Sequence, residues 1–191
     1  MQTKWIKKLS DQEKIYDGTQ LRSLFAYLRF QVLGDSCISW RGPCDVSFEH
    51  MVDGEDLLQQ AQICGSDMVH FIFEIFDQSL MTGVLLQRLF ASTVADVIHD
   101  LSGVKNLKLE RQGDDLYWKG KKLSISIATR SPTSVLVHFA VNVSTEGTPV
   151  PTVGLKDLRV DPDKFALRCL KEIAAEYLSC QQATKKVRAV K

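Results

Sequence analysis

Apolar and polar positions alternate most clearly between Gly113 and Val143. Leu123, Ile125 and Ile127 recur at every second residue, and so do Val135, Val137, Phe139, Val141 and Val143. Successive side chains of a strand point to opposite faces, so this is strand periodicity. It predicts an antiparallel meander of three short strands, turning at Lys119-Gly120 and at Arg130-Ser131-Pro132-Thr133. Register follows by matching the apolar sets of neighbouring strands, since a one-residue slip turns a greasy side outward. Leu123 then lies near Val141, Lys122 near Asn142 and Ser126 near His138, to within one pair along the ladder. Leu116 falls opposite Leu123, Tyr117 opposite Lys122 and Asp115 opposite Ser124. The side away from the apolar set carries Asp115, Tyr117, Lys122, Ser124, Ser126, His138 and Asn142.

Elsewhere the period changes several times. Thr3–Leu9 reads as an edge strand, and Asp17-Gly18-Thr19 introduces a helix over about Gln20–Val32, with Leu21, Leu24, Phe25 and Leu28 as its stripe and Gly34 as terminator. Ser36–Trp40 reads as a strand, Arg41-Gly42-Pro43 as a sharp loop and Asp45–Val52 as the return strand. A short helix follows Asp53, to about Gln62. Asp67–Phe76 is apolar on one face (Val69, Phe71, Phe73, Ile75) and mixed on the other (Met68, His70, Ile72, Glu74), which suits a central strand covered on both sides. Leu80–Leu101 has helical spacing throughout and ends at Gly103. Thr148-Pro149-Val150-Pro151 is a rigid link, and Asp161-Pro162 caps a closing helix to about Gln181.

Length and composition narrow the class. The 191 residues suit one domain over 1–184, followed by a basic tail at 185–191 expected to be disordered. Hydrophobic residues make up 45% and charged residues 25%, with a net charge of +1. No bulk field therefore points to nucleic acid or a membrane surface, and no run of eighteen apolar residues is present. The five cysteines lack C-x-x-C spacing, and the start of the chain lacks a signal-peptide core, so a reduced cytoplasm is expected. The four histidines have no metal-ligand spacing, and P-loop, G-x-S-x-G and G-x-G-x-x-G motifs are absent.

The polar side of the meander fits two readings. One is a half-solvated sheet. The other is a concave surface where small side chains admit a ligand and Lys122, Asn142 and Asp115 supply charge and hydrogen bonds. His70 and Glu74 either share that cavity or form a paired polar core. Arg22, in the first turn of the expected helix, is either solvated or faces an anion. Asp114 and Asp115 either cap a turn or hold Lys122 or a Mg²⁺ accompanying a nucleotide.

Lys122-Leu123-Ser124-Ile125-Ser126-Ile127, preceded by Asp-Leu-Tyr-Trp and followed by His138-Phe139-Ala140-Val141-Asn142-Val143, resembles the core signature of the biotin and lipoate protein ligases, a fold shared with octanoyltransferases. Over its full length the chain also resembles the uncharacterised family domain of unknown function 366, through Tyr16–Leu24, Arg41–Val46 and Glu49–Asp53. The resemblance implies a single α+β domain, with a mostly antiparallel mixed sheet and helices packed on one face, as in the class II synthetase-like catalytic domains. It implies that Lys122 binds an acyl-adenylate or acyl carbonyl, with Asp115 and Asn142 as companions. Arg41, Gly42, His50 and Asp53 would stand where the ligases carry an arginine, a glycine-rich loop and a Tyr-His-Asp-like segment. The glycine run is here reduced to Gly42 and Pro43.

The catalytic candidates are thus Lys122, Arg41 and Asp115. The substrate-binding candidates are Gly42, His50, Asp53, Ser124, Ser126, His138, Asn142 and Arg22. The expected activity is ligase- or transferase-like handling of a small carboxylate or acyl-adenylate, with ATP and Mg²⁺ as the conceivable cofactor. The alternatives are a binding module without turnover and a structural subunit recognised through the basic end. Self-association into a homo-oligomer stays open.

Overall fold

The computed structural model describes residues 1–190. Strand β1 (Gln2–Trp5) is followed by α1 (Phe25–Phe30), β2 (Ser36–Val46), α2 (Gly54–Gln59), β3 (Ile63–Phe76), α3 (Leu80–Leu101), β4 (Glu110–Gln112), β5 (Asp115–Trp118), β6 (Lys121–Lys122), β7 (Ser124–Arg130), β8 (Ser134–Asn142) and α4 (Pro162–Lys185). The main sheet has the order β1-β2-β3-β8-β7 and is antiparallel except for the β1–β2 pair. A small sheet, β4-β5-β6, lies beside it. This is a mixed α+β architecture.

Both faces of the main sheet are covered. Val69, Phe71, Phe73, Val137, Phe139 and Val141 pack against α3 and α4 through Phe90, Val94, Ile98, Phe165 and Ile173. The alternate residues Met68, Ile72 and Ala140, with Ile38 and Trp40 of β2, join a second core with Tyr16, Leu21 and Ala26, which the segment between β1 and β2 provides. The predicted two-sided burial of β3 is present. Helix α3 has the length and composition to cross a membrane, but here its apolar stripe lies against the sheet. Gly83 allows that approach, since an added Cβ would stand 2.2 Å from Val135 Cγ1.

Four expectations need correction. The helix over Gln20–Val32 shrinks to α1, because Leu24 takes a left-handed conformation (φ 61°) with its N–H on the buried Glu74 carboxylate at 2.9 and 3.0 Å. Arg41-Gly42-Pro43 is not a loop but the middle of the eleven-residue β2. A bulge between Gly42 and Cys44 accommodates Pro43, whose carbonyl accepts the Tyr16 N–H at 2.9 Å. The return strand to Val52 ends at Val46, and Phe48–His50 forms a single 3₁₀ turn.

The meander register is the fourth. Ser124 pairs with Val141, Ser126 with Phe139 and Ile127 with His138. This lies within one pair of the expected ladder but reverses its parity. Ser124 and Ser126 therefore face the α3 side, and Ile125 and Ile127 join the second core. The cause is local. Leu123 N–H donates to the Leu116 carbonyl at 2.8 Å, and the Leu116 N–H donates to Ser124 Oγ at 3.0 Å. Two successive residues thus oppose one where the chain leaves the small sheet for the large one, and alternation restarts out of phase.

Candidate functional site

On the second face of the sheet a cleft of about 470 Å³ opens between β6, β7, β8, the β2–β3 connection and the link after β8. Its lining includes Tyr16, His50, Asp53, Asp56, Lys122, His138 and Asn142. Lys122 Nζ stands 2.8 Å from Asp115 Oδ2, and both side chains are mostly shielded from solvent. The Tyr117 hydroxyl, on the residue paired with Lys122, donates to the same Asp115 oxygen at 3.3 Å. Asn142 Nδ2 donates to the carbonyls of Lys122 and Val153, both at 3.3 Å, so it fixes the backbone behind the lysine. Three carboxylates of the β2–β3 connection also line the cleft: Asp53, Glu55 and Asp56. Burial, and after it the neighbouring Asp53, push the Asp56 carboxyl above its ordinary range, while Lys122 pulls it back.

The floor is aromatic. The Tyr16 ring stacks on His138 at 3.6 Å between centroids, and His70 lies 5.4 Å from each of them. His70 Nε2 is 3.1 Å from the Gly42 carbonyl, and His70 Nδ1 is 3.2 Å from His138 Nε2. A carbonyl only accepts, so His70 carries its proton on Nε2. Burial pushes His70 down to about 4 and His138 well below the usual histidine range, so both rings are neutral at pH 7. Neutral His70 therefore accepts at Nδ1, and His138 must donate from Nε2.

Of the eleven sequence-derived candidates, Lys122, Asp115, His50, Asp53, Ser126, His138 and Asn142 line the cleft. Two of these are committed within the fold. Asp53 Oδ1 caps α2 by accepting the Glu55 and Asp56 N–H groups. The Ser126 hydroxyl donates to Asp114 Oδ2 at 2.6 Å and accepts from Gln87 Nε2 at 2.8 Å.

Four candidates stand elsewhere. Arg41 pairs with Asp67 through Nε and Nη2 at 2.8 and 2.7 Å. It is the cross-strand partner of Val69, on the α3–α4 side of the sheet and away from the cleft. Gly42 lies against the Lys14 carbonyl, 2.2 Å from where a Cβ would be, and touches the site only by holding His70. Ser124 is buried on Leu116. Arg22 returns to its own loop, donating from Nη1 to the Thr19 carbonyl at 3.0 Å. Sequence reasoning missed Tyr16, Asp56 and Met68 as lining; His70, left open between the cavity and a paired polar core, is fully buried behind the lining residue His138. The alternation in β3 already set His70 and Met68 on one face, whereas nothing local in the sequence carries Tyr16 across it.

The chain matches the family described as Domain of unknown function (DUF366) over residues 5–188. It belongs to that family. An uncharacterized protein of Methanocaldococcus jannaschii is 36% identical over 169 residues, covering 85% of this chain and 73% of its own length. A solved structure described as a protein of unknown function from Pyrococcus horikoshi is 38% identical with a TM-score of 0.89, covering 99% of this chain and all of that one. The apo biotin protein ligase of Aquifex aeolicus aligns with a TM-score of 0.61 at 14% identity, over 95% of this chain and 72% of the ligase. A Plasmodium falciparum protein solved with lipoate aligns with a TM-score of 0.55 at 11% identity, over the whole of this chain and 64% of that one. The DUF366 fold is therefore that of the biotin and lipoate ligases, and at these identities the likeness is of fold alone.

Proposed function

We propose that the cleft binds a small carboxylate or an activated acyl derivative, with Lys122 anchoring the carboxylate or acyl oxygen. The observation that carries this reading is that Lys122 is the one Lys or Arg lining the cleft among the described residues. An ammonium has three donors, and Asp115 accepts one, which leaves two for a ligand oxygen. In an acyl transfer the same charge would stabilise the developing oxyanion, while Asp115 and Tyr117 keep the lysine in place.

The residues do not fit a bare nucleotide polyphosphate. Asp53, Glu55, Asp56, Asp114 and Asp115 all line the cleft and oppose a polyanion. Gly42 offers no backbone cradle inside β2, and Arg41 pairs with Asp67 on the far side. These features favour a second reading, in which the cleft binds its ligand without adenylation or turnover.

Thermal unfolding with octanoate, lipoate and biotin, each with and without Mg²⁺-ATP, tests the site. A ligand at a hundredfold excess over its Kd should add about 2.7 kcal/mol of stability. Lys122→Gln should abolish the shift if the anchor is correct, and a shift preserved in that variant overturns it. Acid-dependent pyrophosphate release then separates enzyme from binding module.

A further inference from the structure

Helices α3 and α4 run antiparallel, with Arg168 near the start of α4 at 3.9 Å from Asp100 near the end of α3. Towards that end Val94, Ile98, Phe165 and Ile173 fill the space between the helices and the sheet. At the opposite end the facing residues are small, Gly83 on α3 with Cys180 and Thr184 on α4. There the helices leave a groove of about 470 Å³ open over Ile75 and Val135 of the sheet. Ile75 and Val135 belong to the core on the α3–α4 face, so this groove lies across the sheet from the cleft.

The groove is graded along its length. Its inner end is bounded by Leu86, Leu89 and the Tyr177 ring, whose hydroxyl already donates to Asp35 Oδ2 at 2.7 Å. Its outer end holds Gln78, Thr82 and Lys185, and Lys185 is the one charged residue in the lining among the described residues. From Thr82 to Leu89 it follows α3 for about 10 Å. Leu85 lines it and is nonetheless 61% exposed. Apolar surface left in water around an open trough marks a place that something covers.

The charge pattern selects the occupant. A second copy meeting this face across a twofold axis would bring two Lys185 ends, with Lys186 and Arg188 beyond them, onto a lining without a carboxylate. A flat bilayer surface would not reach the floor at Ile75 and Val135. An extended hydrocarbon chain with one anionic head matches both ends of the groove. We propose that this groove binds such a single-chain anionic amphiphile as an individual molecule, its tail along Leu86, Leu89 and Val135 and its head at Lys185. Burial of the tail supplies the affinity, and the exposed lysine selects the head. This site is separate from the cleft and does not depend on the carboxylate reading there.

The test is methyl NMR of the intact protein, with the Ile75 and Leu85 signals assigned through Ile75→Val and Leu85→Met. Decanoate below its micelle concentration should shift both signals saturably without changing the sedimentation of the protein. Butyrate, which has the head without the tail, should leave them in place. Decyltrimethylammonium has the same tail and the opposite head, and should bind about fivefold more weakly. Lys185→Glu should reverse that order. Equal binding of the two heads, an order the variant leaves unchanged, or no saturable shift with decanoate each overturns the proposal. Shifts that arise on concentrating the protein alone would make the groove a contact between copies, and shifts seen only with phosphatidylglycerol vesicles would make it a membrane contact. Either result overturns it too. Lys122→Gln should keep the groove shifts, and their loss in that variant would assign decanoate to the cleft and remove the second site.

Discussion

At His70 and His138 two neutral imidazoles sit where water cannot solvate a charge. The unfolded chain binds protons on these residues near pH 6.5, whereas folded His70 does so only near 4 and burial likewise holds His138 well below the usual histidine range. A depressed histidine pKa means that the unfolded state holds more protons in between, so stability must fall as pH drops from about 6.5 towards 4. His70 alone contributes on the order of 3 kcal/mol to that loss. Urea unfolding at pH 7 and pH 5 should show it, and His70→Phe should flatten the profile. A profile equally steep in that variant would assign the acid sensitivity elsewhere. Lys122 and Asp115 behave differently, because each keeps about a quarter to a third of its surface in water. Asp115→Asn should cost about 1 kcal/mol or less of stability while weakening any carboxylate-dependent thermal shift through a looser lysine. The polar side chains of the site were largely legible in the sequence. Their neighbourhood was not, because the Arg41–Asp67 pair, which turns Arg41 away, depends on where β2 and β3 meet.

At the level of elements, alternation identified β3, β7 and β8 but not β4 or the middle of β2, and α3 matched over its whole length. It failed as a guide to facing at β7. A strand buried on one face needs its apolar set inward, but β7 borders two cores, so Ile125 and Ile127 find apolar partners on one side and Ala128 on the other. Hydrogen bonding decides instead, with Ser124 on Leu116 and Ser126 on Asp114 and Gln87. Ser124→Ala leaves the buried Leu116 N–H without its acceptor and should cost about 1–3 kcal/mol in chemical denaturation. A change below about 0.5 kcal/mol would mean that the bulge is held by Leu123 alone. Gly42→Ala is expected to be worse. Its Cβ would meet the Lys14 carbonyl, which is backbone and cannot rotate aside, so β2 must move and the His70 acceptor with it. The same variant should also release the histidine relay, visible as exchange broadening of the His138 ring signals.

Across the whole molecule, one carboxylate fastens the N-terminal cover to the sheet. Glu74, on β3, accepts the Leu24 N–H and the Ser134 hydroxyl while itself buried. Glu74→Ala removes both contacts and should raise amide exchange over the segment around Leu24 before it affects α3 or α4. Uniform loss of protection would show that cover and sheet unfold as one unit. The order of the sheet has a consequence for the chain as it is made. β3 finds its second neighbour only in β8, with Phe76 against Ser134 and Met68 against Asn142. Until that distant segment leaves the ribosome, the nine residues Met68–Phe76, mostly apolar, stand with an open edge. The nascent protein is therefore most prone to self-association, and most dependent on chaperone shielding, in the interval between translation of β3 and of β8.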